Sequence, residues 1–153
     1  MKSKINVEGI VTLQIYDKDG NLKSETKGHN VITTAGLAQL ALLAGDASAV
    51  PFTYLALGTD DTAVAATDTA LGAEITDTGL ARAAATISRI TTTLTNDTLR
   101  ATYTWTASGV KTIEECGLFN ASSDGTMLGH KLTGSITTAN TDQVELTYDI
   151  KFS

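Results

Sequence analysis

Phe52-Thr53-Tyr54-Leu55-Ala56-Leu57-Gly58 is the most continuous apolar run outside the chain's one helical segment, and it has the length of a buried strand. Gly58 closes it, and Thr59-Asp60-Asp61-Thr62 and an Ala/Thr-rich passage out to Glu74 follow. A central strand that feeds a long acidic loop, 59–79, is unusual in a small domain, and loops of that length are functional or mobile. The loop carries Asp60, Asp61, Asp68, Glu74 and Asp77. Five carboxylates invite a calcium reading, because Ca²⁺ takes several oxygen ligands. The spacing lacks the alternate acidic positions, glycine and closing glutamate of an EF-hand. The loop therefore reads as a solvated or partner-facing surface, and no metal is assigned to it.

The chain on either side is organised as short strands. In segment 4–27, Ile5, Val7, Val11, Leu13 and Ile15 alternate with Asn6, Glu8, Thr12 and Gln14, which is the period of a half-buried strand. Asp17-Lys18-Asp19-Gly20-Asn21 then turns it into an N-terminal hairpin. The period changes at 33–45, where Leu37, Leu40, Ala41 and Ala44 fall on one helical face. Thr33 or Thr34 caps its start and Gly45 its end. An almost uncharged helix of three turns is expected to lie on a sheet. His29 and Asn30, just before it, are expected to bond to backbone where the chain turns.

Segment 80–153 reads as C-terminal hairpins. Ile87, Ile90 and Leu94 are the apolar points of a strand or a bent pair of strands, and Asn96-Asp97 is a turn. Leu99, Ala101, Tyr103 and Trp105 alternate with Arg100, Thr102, Thr104 and Thr106, which places both aromatic rings in the core. Val144, Leu146, Tyr148, Ile150 and Phe152 alternate likewise in the last strand. The expectation is a mainly β chain: one β-sandwich or jelly-roll-like domain over 1–153 with one short α-helix at about 33–45.

Composition narrows function. A net charge of −6 with scattered Lys and Arg disfavours nucleic acid as a partner. Cys116 is the only cysteine, so it forms no intrachain disulfide, and its apolar flanks suggest core packing. Met1-Lys2-Ser3-Lys4 is basic but is followed by polar–apolar alternation, so neither a secretory leader nor a membrane span is read here. Glu114 and Glu115 are strand neighbours that point to opposite faces, so they are not a catalytic dyad. His130 sits among polar residues and is expected to be exposed. No phosphate loop or nucleophile motif appears, so no catalytic residue and no cofactor is assigned.

Three ordered blocks carry a resemblance. His29-Asn30-Val31-Ile32-Thr33-Thr34-Ala35-Gly36 resembles the "HN-hydrophobic-x-T/x-A-G" lead-in to a helix in small structural proteins of tailed bacteriophages. Tyr54 to Thr59, followed by Ala66-Thr67-Asp68-Thr69-Ala70-Leu71-Gly72-Ala73-Glu74, is similar to their "ALGTG…ATDTALxxE" stretch, with Asp60 where a second glycine is common. Ile113 to Asn120, with Gly125-Thr126-Met127-Leu128, is similar to their "I-x-E-x-GLF…GTML" hairpin. The resemblance implies a structural part of a phage particle, made in the host cytoplasm and localised to the virion. The leading expectation is a capsid decoration (cement) protein, a homo-oligomer with a trimer favoured, bound to the major capsid protein on the outside of the head. Its expected contact residues are Met1, Lys2, Ser3 and Lys4 with Thr59, Asp60, Asp61, Thr62 and Asp68. A tail, baseplate or fibre-attachment subunit is the first alternative. A carbohydrate-binding module stacking sugars on exposed Tyr or Trp rings is the second.

Overall fold

A computed structural model describes Lys2 and residues 4–153; Met1 and Ser3, two of the expected contact residues, lie outside the described residues. The elements run β1 (Val7–Tyr16), β2 (Leu22–His29), β3 (Val31–Ile32), α1 (Thr34–Gly45), β4 (Tyr54–Gly58), β5 (Ala83–Ala84), β6 (Thr86–Ile90), β7 (Thr98–Thr106), β8 (Thr112–Phe119), β9 (Met127–Thr137) and β10 (Gln143–Phe152). They form two five-stranded antiparallel sheets, A in the order β2-β1-β10-β7-β6 and B in the order β3-β9-β8-β4-β5. Strand alternation drives the packing. Val11, Leu13 and Ile15 of β1 and Val144, Leu146, Tyr148 and Ile150 of β10 are fully buried, and they meet Leu55, Leu57, Ile113, Cys116 and Leu118 of sheet B. The result is the β-sandwich with one short helix that the alternation implied. The last strand, β10, lies centrally between β1 and β7 instead of forming a hairpin with β9.

The 80–95 stretch is a bent pair of strands that changes sheet. β5 pairs with β4 in sheet B, β6 pairs with β7 in sheet A, and at the corner the Ala85 amide donates to the Thr53 carbonyl (2.8 Å). Two of its apolar points face solvent: Ile87 lies on an edge strand and Leu94 in the turn. That turn is organised by Asp97. Its carboxylate pays a desolvation penalty but accepts from the Leu94, Thr92 and Thr93 amides, which hold it far below the usual carboxylate range.

The helix sits where the sequence placed it, capped by Thr33, whose Oγ1 accepts from the Gly36 amide (2.9 Å). Its buried face is rotated from the expected one. Gly36 is buried and Leu40 and Leu43 are half-buried, whereas Leu37 and Leu42 are about half exposed and Ala41 and Ala44 face solvent. The cause is steric. Gly36 lies so close to β9 that a Cβ built on it falls 2.6 Å from the Leu128 Cα, so this face takes the sheet and the leucines on the other side do not. The residues before the helix also differ from expectation. The His29 side chain meets Glu8 (3.1 Å), and Asn30 Nδ2 lies 2.7 Å from the Tyr148 hydroxyl, bridging the two sheets instead of capping backbone.

Of the two strand-β7 aromatics, Trp105 is 3% exposed and donates from Nε1 to the Ala81 carbonyl (2.7 Å). Tyr103 is 36% exposed, edge-on to Trp105 at the rim of the core, and not inside it. Trp105 is therefore no platform for a sugar. Its emission is expected to be blue-shifted and shielded from iodide; a red-shifted, readily quenched spectrum would restore the carbohydrate-stacking reading. Cys116 is fully buried, and burial pushes its thiol up to about 12, so it behaves as core packing.

Candidate functional site

Sheet B is apolar on both faces, and the second face is covered by the acidic loop. On β4, Leu55 and Leu57 point into the sandwich, while Tyr54, Ala56 and Gly58 point the other way. Ala56 joins Leu71, Phe119 and Met127 in a second, smaller apolar cluster. The long acidic loop is thus a third layer: Leu71 is buried in this second cluster, Ile75 reaches the main core, Gly58 bridges Glu74, and the Ile75 amide donates to the Leu57 carbonyl (2.8 Å).

Two buried cations bolt this layer down. The first is His130 on β9. Its Nδ1 lies 2.8 Å from Asp68 Oδ2 in the loop, and its Nε2 lies 2.7 Å from Glu115 Oε2 on β8. Glu115 is 1% exposed and also accepts from the Ala73 amide (2.9 Å) and the Gly72 amide (3.1 Å). Its side chain lies across Gly58, where a Cβ would fall 2.3 Å from Oε1; only glycine leaves that path open. A ring with a carboxylate at each nitrogen can satisfy both only as the imidazolium. Burial works against its charge, but Glu115 and Asp68 outweigh burial and raise the pKa of His130 above the ordinary histidine value. Burial also works against the charge of Glu115, and here His130 and the two amides outweigh it and lower the pKa.

The second cation is Arg82, just before β5. It makes a fork with Glu74 (Nε to Oε1 2.8 Å, Nη2 to Oε2 2.6 Å) and donates from Nη1 to the Ala121 and Asp124 carbonyls (2.9 and 2.8 Å). Its guanidinium also stacks 3.8 Å over the Phe119 ring, joining the loop layer to the β8–β9 turn.

The expected contact residues divide between this scaffold and the surface. Thr59, Asp61 and Thr62 are exposed at the start of the layer, and Lys2 and Lys4 are exposed at the N-terminus. Asp60 is half-buried, accepting from the Thr62 hydroxyl (2.7 Å) and amide (2.9 Å). Asp68 is spent on His130 and the Ala65 amide. His130, expected at the surface, is instead 5% exposed, because the loop folds over it. Glu114 and Glu115 do diverge: Glu114 accepts from the Ser135 hydroxyl (2.6 Å) while Glu115 turns under the loop.

The chemistry available here is that of a staple. A hollow of about 90 Å³ opens beside His130, lined by Asp60, Thr62, Asp68 and Gly72 among others, but both ring nitrogens are committed to carboxylates. No group of three or more His, Cys, Asp or Glu side chains converges as a metal cage among the described residues. No helix among them is long and apolar enough to cross a membrane.

A family model described as "Podophage GP4 fiber I protein gp80" matches residues 32–149, which takes in α1, the whole loop layer, nearly all of sheet B and most of β10. No curated protein and no solved structure matches the chain. With more than half of its length matched, the chain belongs to this family of bacteriophage virion structural proteins, and its place is in the virion.

Proposed function

We infer that the protein is a non-enzymatic subunit of the fibre assembly of a podophage virion, joined to neighbouring subunits as a homo-oligomer. The family match over 32–149, which names a fibre protein, carries this reading. The site supports it: buried charges hold the loop layer on sheet B so that it presents Thr59, Asp61 and Thr62, and both ring nitrogens of His130 are committed to carboxylates. Contact through this shelf and the Lys2–Lys4 end has to reach about 1,200–2,000 Å² in total for a stable joint, and symmetry then repeats it.

The same acidic shelf suits a trimeric decoration subunit on the outside of the head, contacting the major capsid protein. Copy number separates the two. Quantitative mass spectrometry of purified virions is expected to give a few to a few tens of copies per particle, a small multiple of a ring's symmetry number. A ratio to the major capsid protein near unity or a simple fraction of it would replace the fibre reading with decoration. Absence from the particle would overturn both.

A further inference from the structure

We propose that the proton on His130 is a latch for part of the loop layer: with it, segment 60–70 is clamped to β9 and α1; without it, the Asp68 contact opens while residues 72–75 stay in place. This holds wherever the subunit sits on the particle.

The asymmetry follows from what holds each part. Residues 72–75 are fixed by the Gly72 and Ala73 amides on Glu115, the Thr59 amide on the Ala73 carbonyl (2.9 Å), the Gly58–Glu74 bridge and the buried Ile75 side chain. Among the described residues, hydrogen bonds tie segment 60–70 to the body at two points: Asp68 to His130, and the Ala66 carbonyl, which accepts from the Thr34 amide at the start of α1 (2.8 Å). Its remaining hydrogen bonds, Asp60 with Thr62 and Asp68 with Ala65, are internal and move with it.

A neutral imidazole has one N–H. Glu115 is almost fully buried and has no access to water, so it keeps that N–H at Nε2. Nδ1 then turns a lone pair toward the Asp68 carboxylate. The Asp68 side chain is 27% exposed and can turn to solvent. The charges facing the ring all favour its proton: Glu115 from β8, and Asp68 and Asp60 from the loop. Neither β3 nor α1 brings a charged side chain to it, and Lys131, next on β9, is on the opposite face near Gly28 of β2.

The sign is fixed by the direction of the shift. The His130 pKa is raised on folding, so the clamp is complete below the ordinary histidine value of about 6.5 and is lost as pH rises through the higher folded value. The test is a pH series of NMR spectra with amide hydrogen exchange. His130 is expected to titrate above the ordinary histidine value of about 6.5. The protection factor of the Thr34 amide, whose partner is the Ala66 carbonyl, should fall as His130 loses its proton, by about tenfold for each pH unit by which the ring titrates higher with the Asp68 contact closed than with it open. Gly72 and Ala73 should keep their protection throughout.

Two variants complete the test. His130→Gln is expected to leave Thr34 unprotected at every pH. Asp68→Asn supplies an amide donor to the neutral ring, so it should keep Thr34 protected and remove the pH dependence. The latch is overturned if His130 titrates at or below the ordinary histidine value, if Thr34 protection does not follow the His130 titration, or if Gly72 and Ala73 are released along with it.

Discussion

Glu115→Ala is expected to lower the stability of the domain by about 3–5 kcal/mol, the scale for removing one partner of a buried ion pair. Three groups lose their acceptor together: the Nε2–H of His130 and the amides of Gly72 and Ala73. His130 is almost fully buried, so water does not replace the carboxylate at its ring, and the truncated side chain leaves a void beside Gly58. In a chain of 153 residues this corresponds to a fall in Tm of roughly 6–20 °C. Glu115→Gln preserves shape and one acceptor but not the charge, so about 1.5–3 kcal/mol is expected, the range for a hydrogen bond to a charged group.

The difference between wild type and Glu115→Ala should depend on pH on both sides. The Glu115 pKa is lowered on folding, so its contribution is present above the ordinary glutamate value and fades as pH falls through the lower folded one. The His130 contribution is complete below the ordinary histidine value and fades as pH rises through the raised one. Urea unfolding at mildly acidic pH should therefore show the larger gap and strongly alkaline pH the smaller. An equal gap at both would mean that Glu115 acts by filling space and not by charge.

The sandwich was legible in the chain because alternation is a local signal. Val11, Leu13 and Ile15 against Thr12 and Gln14 specify an inward face without reference to any other segment. The site was not legible in this way. Asp68, Glu115 and His130 come from a loop and two strands, and only the folded register places them together. Read locally, His130 lies among polar residues, and nothing nearby shows that the 59–79 segment will cover it. One signal did point to a cover. Tyr54-Leu55-Ala56-Leu57-Gly58 is apolar on both faces, and Ala56, Gly58 and Gly117 are small residues sharing the outer face of sheet B, which leaves room for a further layer. Its length is that of a buried strand, but nothing in the run identifies the acidic loop that follows as the cover of its outer face. Arg82 was missed for a similar reason: its partners Glu74, Ala121 and Asp124 reach it only after the β8–β9 turn has formed.

The helix gives the other large expected effect. Gly36→Ala should destabilise by about 2–3 kcal/mol, although alanine is the better helix former by about 1 kcal/mol. The added methyl would lie 2.6 Å from the Leu128 Cα, 2.9 Å from its carbonyl oxygen and 2.9 Å from its Cδ1. Two of these atoms are backbone of a central region of sheet B and do not give way as a side-chain tip does. Nor is the helix free to lift off. Next to Gly36, the Thr33 amide donates to the Leu128 carbonyl (2.9 Å), the Thr33 hydroxyl donates to the Met127 carbonyl, and the Thr34 amide is bound to Ala66 of the loop. Relieving the clash loosens the cap and the loop contact together. Gly45→Ala at the other end of the same helix is the control. A Cβ there meets nothing within 4 Å, so the propensity gain of up to about 1 kcal/mol should appear undiminished. Urea midpoints of the two variants should therefore move in opposite directions from wild type. If Gly36→Ala moved with Gly45→Ala, close contact at Gly36 would not be what docks α1 on β9, and the rotation of its buried face away from Leu37 and Ala41 would need another cause.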